Sequence, residues 1–199
     1  MEAKSGPLII VLGPQGSGKG TQAQLLSERC HIPNVSAGDL LREAATKPTD
    51  LGRAVAALLR AGQLVTIDQW EAVVRSYLNE HDLSAGYLLD GVVRSLEQVS
   101  RFDELLTKKQ LSQPWILFIN LDDAVATERL LKRNRDDDTA SQIRERLAWS
   151  RTQVEPVIDH YRSLGRVVEV NGDQTIEQVH AEIIDGLADI GALPKVKHG

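Results

Sequence analysis

Residues 13–22 read GPQGSGKGTQ and follow directly on an apolar run, LIIVL. Gly13, Gly16 and Gly18 leave room for backbone amides to converge on phosphate oxygens, and Lys19 supplies a point charge for the β- and γ-phosphates of a triphosphate. A helix opening near Lys19 adds unpaired N–H groups and the positive end of its dipole. One position departs from the pattern G-x-x-x-x-G-K-[ST]. Gly20 stands where a hydroxyl for magnesium belongs, and Thr21 arrives one residue late. The metal must then be held through waters, through Thr21, or through an acid at the end of a neighbouring strand. Asp90, closing the run YLLD, is such an acid.

These groups need a frame. Short β-rich runs at 8–13, 34–36, 87–91, 115–121 and 166–170 alternate with helix-like spacing at 19–30, 66–80, 95–110, 123–133, 139–163 and 175–190. That alternation predicts an α/β fold of the phosphate-loop type, a five-stranded parallel sheet wrapped by helices. The first and fourth runs are apolar almost throughout, as strands covered on both faces should be. Thr66, Ser95, Asp122 and Thr175 are the candidate helix starts. Two stretches break the alternation. Residues 36–65 hold too many helix formers for one crossover and predict a small helical flap over the sheet. The charged run KRNRDDDTAS (132–141) reads, by itself, as a solvated connection.

The 199 residues suit one α/β domain, 1–199, and 42% apolar with 26% charged residues is ordinary for a globular protein. A net charge of −5 argues against nucleic acid or an anionic membrane as partner. The single cysteine, Cys30, allows no internal disulfide, and no Cys/His cluster offers a zinc site. With no signal-peptide core and no membrane-length apolar stretch, the expectation is a cytoplasmic protein, monomeric for want of a large apolar surface stripe. Flexible ends are expected at MEAKSG and PKVKHG.

Six further segments, in order, resemble the adenylate kinase family of nucleoside monophosphate kinases over nearly the whole chain. The loop form GSGKGTQ is joined by SAGDLLR (36–42), GQLV (62–65), DGVVRSLEQ (90–98), ERLLKR (128–133) with R-x-D-D (135–138) and Arg146, EPVIDHY (155–161) and VNGD (170–173). The resemblance implies reversible transfer of the γ-phosphoryl group of ATP to a nucleoside monophosphate, with Mg2+ as cofactor and ATP, AMP and ADP as partners. It implies a core of 7–35, 66–131 and 139–192, a monophosphate-binding flap at 36–65 and a lid at 132–138. The ATP side would hold Gly16, Ser17, Gly18, Lys19, Gly20, Thr21, Arg129, Arg133 and Gln174. The AMP side would hold Ala37, Arg42, Gln63, Leu64, Val65, Gly91, Val92, Val93, Arg94, Gln98, Arg135 and Arg146. Lys19, Arg94, Arg133, Arg135 and Arg146 would carry catalysis, because arginine forks contact two phosphate oxygens and stay charged. The acceptor is already ionised, so no catalytic base is expected. His31, His81, His160, His180 and His198 read as surface or packing residues, and Trp70, Trp115 and Trp149, which sit in helix or strand patterns, read as packing residues.

Three departures from the family pattern matter. Val92-Val93 replaces an aromatic-proline pair whose peptide bond is usually cis, and a non-proline cis bond costs ~3 kcal/mol, so a trans bond is predicted. Weakened acceptor binding is one consequence, and an inactive nucleotide-binding relative is the reading it leaves open. Only Asn134 separates Arg133 from Arg135, so the lid is very short and ATP hydrolysis without acceptor is expected. Gln98 matches AMP-specific members, whereas Ala37 matches many UMP/CMP kinases. A hydrogen bond to the base discriminates more strongly than a missing hydroxyl, which favours AMP and leaves UMP/CMP as the alternative.

Overall fold

The structure, a computed structural model, describes residues 6–133 and 139–193. Five strands form one parallel sheet in the order β2-β3-β1-β4-β5: β1 (Leu8–Leu12), β2 (Asn34–Ser36), β3 (Tyr87–Asp90), β4 (Trp115–Asn120) and β5 (Val167–Asn171). Every residue of β1 is buried because helices cover both faces of the central strand. Leu8, Ile10 and Leu12 enter one core, and Ile9 and Val11 enter the other, which is the two-residue period of a strand hidden inside a continuous apolar run.

The first core is closed by α2 (Ala37–Thr46), α3 (Asp50–Arg60), α4 (Ile67–Glu80), α5 (Leu96–Lys108) and α7 (Ala140–Ser163). The second is closed by α1 (Lys19–Cys30) and α8 (Ile176–Asp189), while α6 (Asp123–Arg133) packs on α7 through Leu130, Ile143 and Leu147. Helix starts follow the capping chemistry. Thr66, Ser95 and Thr175 each accept a hydrogen bond from the backbone N–H three residues on, and Gln69 and Gln178 return the bond as capping boxes. Asp122 accepts from the Ala124 N–H at 2.7 Å.

Within 36–65 the chain forms two short helices that meet closely: a Cβ on Gly52 would run into the Lys47 carbonyl oxygen. The winding reverses at β1, which lies between β3 and β4. Loops leaving the carboxyl ends of β1 and β3 therefore open a crevice on that edge. Among the described residues no helix is long and apolar enough to cross a membrane.

Candidate functional site

The loop after β1 is built as a cradle. The Ser17 N–H bonds the Pro14 carbonyl at 3.2 Å, and the turn ends at Gly18, the N-cap of α1, with φ 85°. That left-handed backbone costs any other L-residue roughly 1–2 kcal/mol, and the space beside Gly18 is open, with no atom within 4 Å of where a Cβ would stand. Lys19 Nζ donates to the Pro14 carbonyl at 3.3 Å, so its charge lies over the loop. Ser17 is 3% exposed, so its hydroxyl is shut away from solvent while its N–H is taken by the Pro14 carbonyl.

Asp90 is the last residue of β3, paired in register with Val11 of β1 and with Ser36 at the end of β2. Its Oδ2 lies 3.7 Å from the position a Cβ on Gly20 would take. A serine or threonine hydroxyl at 20, one atom longer, would come within hydrogen-bond reach of that carboxylate; glycine leaves the space open. Burial pushes the Asp90 carboxyl above its ordinary range, against the pull of Lys19 and Arg94. A carboxylate half-starved of solvent beside an open glycine suits a hydrated divalent cation, and the residues present fit magnesium.

The turn after Asp90 is tied down at several points. Gly91 has φ 62°, and its N–H bonds the Val11 carbonyl at 3.2 Å. Arg94 Nε donates to the Gly91 carbonyl at 2.6 Å, and the Arg94 N–H donates to Gln98 Oε1 at 2.7 Å. The Val92–Val93 bond is trans, and the two side chains, 2% and 0% exposed, belong to the core. Only their backbone could meet a ligand. On the neighbouring edge, the Asp39 carboxylate accepts from the Ser36 N–H and hydroxyl, at 3.0 and 2.6 Å, and from Arg42 Nη2 at 2.7 Å. The Ser36 hydroxyl first and Arg42 second hold that carboxyl below its usual range.

A cavity of about 450 Å³ joins these parts: Gly13, Gln15, Lys19, Leu64, Gly91, Arg94, Arg146, Trp149 and Ser150 are among its walls. It thus brings together five of the residues expected to serve, Lys19, Leu64, Gly91, Arg94 and Arg146. Arg129, on α6, and Gln174 lie elsewhere, meeting at the 171–174 turn. Arg129 Nη1 bonds the Gly172 carbonyl at 2.9 Å, and Gln174 Nε2 bonds the Asn171 carbonyl at 3.2 Å and Glu182 Oε1 at 2.8 Å. That turn abuts the phosphate loop, since a Cβ on Gly172 would stand 3.5 Å from the Ser17 carbonyl oxygen. Gly16, Ser17, Gly18, Gly20, Thr21, Ala37, Arg42, Gln63, Val65, Val92, Val93 and Gln98 do not line the cavity, and Val65 and Ala37 pack against the core. Arg135, the lid stretch 134–138, the Arg133 side chain and the chain ends 1–5 and 194–199 lie outside the described residues.

One expectation needs correction. Trp149 was assigned to packing, yet it is 55% exposed and walls the cavity. The signal was available: Trp149 and Ser150 stand three and four residues after Arg146 on α7, hence on its face. Gln15, inside the loop itself, was likewise passed over. None of His31, His81, His160 and His180 lines the cavity, and His198 is outside the described residues.

A family model described as adenylate kinase matches residues 11–166. An adenylate kinase of Corynebacterium urealyticum is 39% identical over 171 residues, 86% of this chain and 93% of the relative. An adenylate kinase 1 of Nostoc sp. is 39% identical over 175 residues, 88% and 95% of the two chains. An adenylate kinase of Mycolicibacterium vanbaalenii is 38% identical over 179 residues, 90% and 98%. With the phosphate loop, the Asp90–Arg94 turn and the matching sheet already in hand, these likenesses establish that the chain belongs to the adenylate kinase family.

Proposed function

We propose that this chain catalyses the reversible transfer of the γ-phosphoryl group of ATP to AMP, giving two ADP. The observation that carries the reading is the convergence of Lys19, Arg94 and Arg146 on one cavity at the carboxyl edge of the sheet. An oxygen of the AMP phosphate attacks the γ-phosphorus while the bond to the β–γ bridging oxygen breaks, and the electron pair leaves with ADP. The nucleophile is already ionised, so no proton has to move. What the reaction needs is several anions held in line while charge shifts among them.

Lys19 and the loop amides of 16–21 hold the β- and γ-phosphates of ATP, with Arg129 and Gln174 on the adenine side. Arg42 and Arg94 hold the acceptor phosphate, Gln63, Leu64, Val65 and the Gly91–Val93 backbone frame the acceptor nucleoside, and Gln98 reads its base beside Ala37. Arg146, with Arg133 and Arg135 from the lid, gathers around the transferring group. Magnesium, held through its waters near Asp90 and Thr21, would neutralise charge on the β- and γ-oxygens. The segments 36–65 and 132–138 act as flap and lid on one domain, bringing arginines in and water out. The chain works as a monomer.

Acceptor choice rests on Gln98 and on the relatives' names; the half-buried Ala37 favours the second reading, a pyrimidine monophosphate. ADP formation measured with AMP, CMP, UMP and GMP tests both. AMP is expected to give the fastest turnover, and Lys19→Met to remove it. CMP or UMP outrunning AMP would install the second reading, and undiminished turnover in Lys19→Met would end the kinase reading altogether. Without acceptor, the same assay should show ATP hydrolysis above background; none would refute the consequence drawn from the short lid.

A further inference from the structure

We infer that Trp70 is a positioning residue for the acceptor site, acting through the Val92 carbonyl on the turn that aims Arg94. The indole Nε1–H donates to the Val92 oxygen at 2.9 Å, in a buried contact spanning 22 residues of sequence. Trp70 is 6% exposed, so the bond is sealed from water that would otherwise compete for the carbonyl.

The geometry gives this bond leverage. Val92 follows Gly91, whose carbonyl accepts Arg94 Nε at 2.6 Å, so a shift at Val92 is passed to the guanidinium within one residue. Trp70 itself is held firmly. It is the fourth residue of α4, whose start is fixed by the Thr66–Gln69 capping box. Arg101 on α5 clamps α4 through Glu71 at 2.8 Å and Asp68 at 3.4 Å, and Arg75 closes on Glu71 from the other side. The segment just before Thr66 is 62–65, proposed above as part of the acceptor-nucleoside frame. One indole N–H therefore ties the helix carrying that frame to the turn carrying the phosphate-binding arginine. The sequence offers no proline at 92–93 to stiffen the turn, which leaves tertiary contacts of this kind to hold it.

This inference rests on the assignment of Arg94 to the acceptor phosphate, and the experiment separates the two. Trp70→Phe keeps most of the ring in the core and removes the N–H. The expected result is a rise in KM for AMP of about tenfold, as for a sub-ångström misplacement of a binding group, with KM for ATP unchanged. In an Arg94→Ala background the same substitution should add nothing, because its route to the substrate is gone. Loss of thermal stability alone, with both KM values unmoved, would overturn the inference. So would an equal effect of Trp70→Phe with and without Arg94. Should Arg94→Ala by itself leave KM for AMP and kcat intact, the Arg94 assignment fails and the inference with it.

If Trp70→Phe does not fold, the intact protein still answers. Indole N–H resonances of Trp115 and Trp149 are assigned by their own phenylalanine variants, leaving that of Trp70. It should exchange slowly with solvent and shift on adding AMP but not MgATP. Exchange as fast as that of Trp149, or a resonance indifferent to saturating AMP, would refute the inference.

Discussion

Replacing Gly91 by alanine separates the aiming of Arg94 from the stability of the fold, because the two costs arise in different places. The backbone at Gly91 is left-handed, φ 62°. An alanine there costs roughly 1–2 kcal/mol of stability, since its Cβ crowds the following carbonyl. For a chain of this size each kcal/mol lowers Tm by about 2–4 °C, so the expected fall is roughly 2–8 °C. The second cost is steric. The new Cβ would stand 2.7 Å from Arg94 Nη2, 3.1 Å from Nε and 3.2 Å from Cζ. A guanidinium is the tip of a flexible side chain, so it yields cheaply, but to reach ordinary contact it must retreat by roughly 1 Å. That retreat strains the Nε bond to the Gly91 carbonyl and moves the charge away from the place proposed for the acceptor phosphate. A misplacement of that size is worth about 10²-fold in rate. Steady-state kinetics well below Tm, with each substrate varied in turn, should therefore show kcat/KM for AMP falling about a hundredfold while the fold is almost fully populated. If kcat/KM stays within about twofold of the parent while Tm drops as calculated, Arg94 does not work from this position.

Two further outcomes follow from the same site. Burial raises the Asp90 carboxyl above 3.8, so the folded state binds more protons than the unfolded one, and stability falls as pH rises through that range. Asp90→Asn should raise Tm at pH 7 and flatten the decline with pH while slowing phosphoryl transfer; a Tm at pH 7 equal to or below the parent's would contradict the sign. Trp149 is the exposed tryptophan of the cavity, whereas Trp70 is buried, so two adenosines joined by five phosphates should change Trp149 emission. Trp149→Phe should remove that change, and an undiminished signal would mean that the inhibitor does not reach this wall.

The frame was legible because its signals are local. Strand β1 needed only an apolar run followed by glycines, and α4, α5 and α8 begin one residue after Thr66, Ser95 and Thr175, whose side chains cap them. Gly20 and Asp90 could be paired from the sequence because one opens α1 and the other closes β3, and both ends share an edge in any parallel sheet of this winding. Trp149 was missed for a different reason. Its residue type suggests core, and its exposure depends on which face α7 presents to the crevice, a fact set by packing of Ile143 and Leu147 on its other side.

Val92-Val93 marks where local reading stops. A proline constrains a turn through its own ring, so its absence is visible in the sequence and reads as a loss of stiffness. What holds this turn instead is distributed: two valines sunk in the core, the Gly91 N–H on Val11, the Arg94 N–H on Gln98 and the Trp70 indole on Val92. Each of these partners has an ordinary role in its own element, as strand residue, helix residue or core ring. None carries a signature that points to residue 92, because the contact exists only once β1, α4 and α5 are docked. A weakness inferred from two residues is thus a statement about local torsions alone. Whether the acceptor site is weak depends on how well the docked elements fix the same torsions, and each of the four consecutive residues 91–94 is held by a contact of its own.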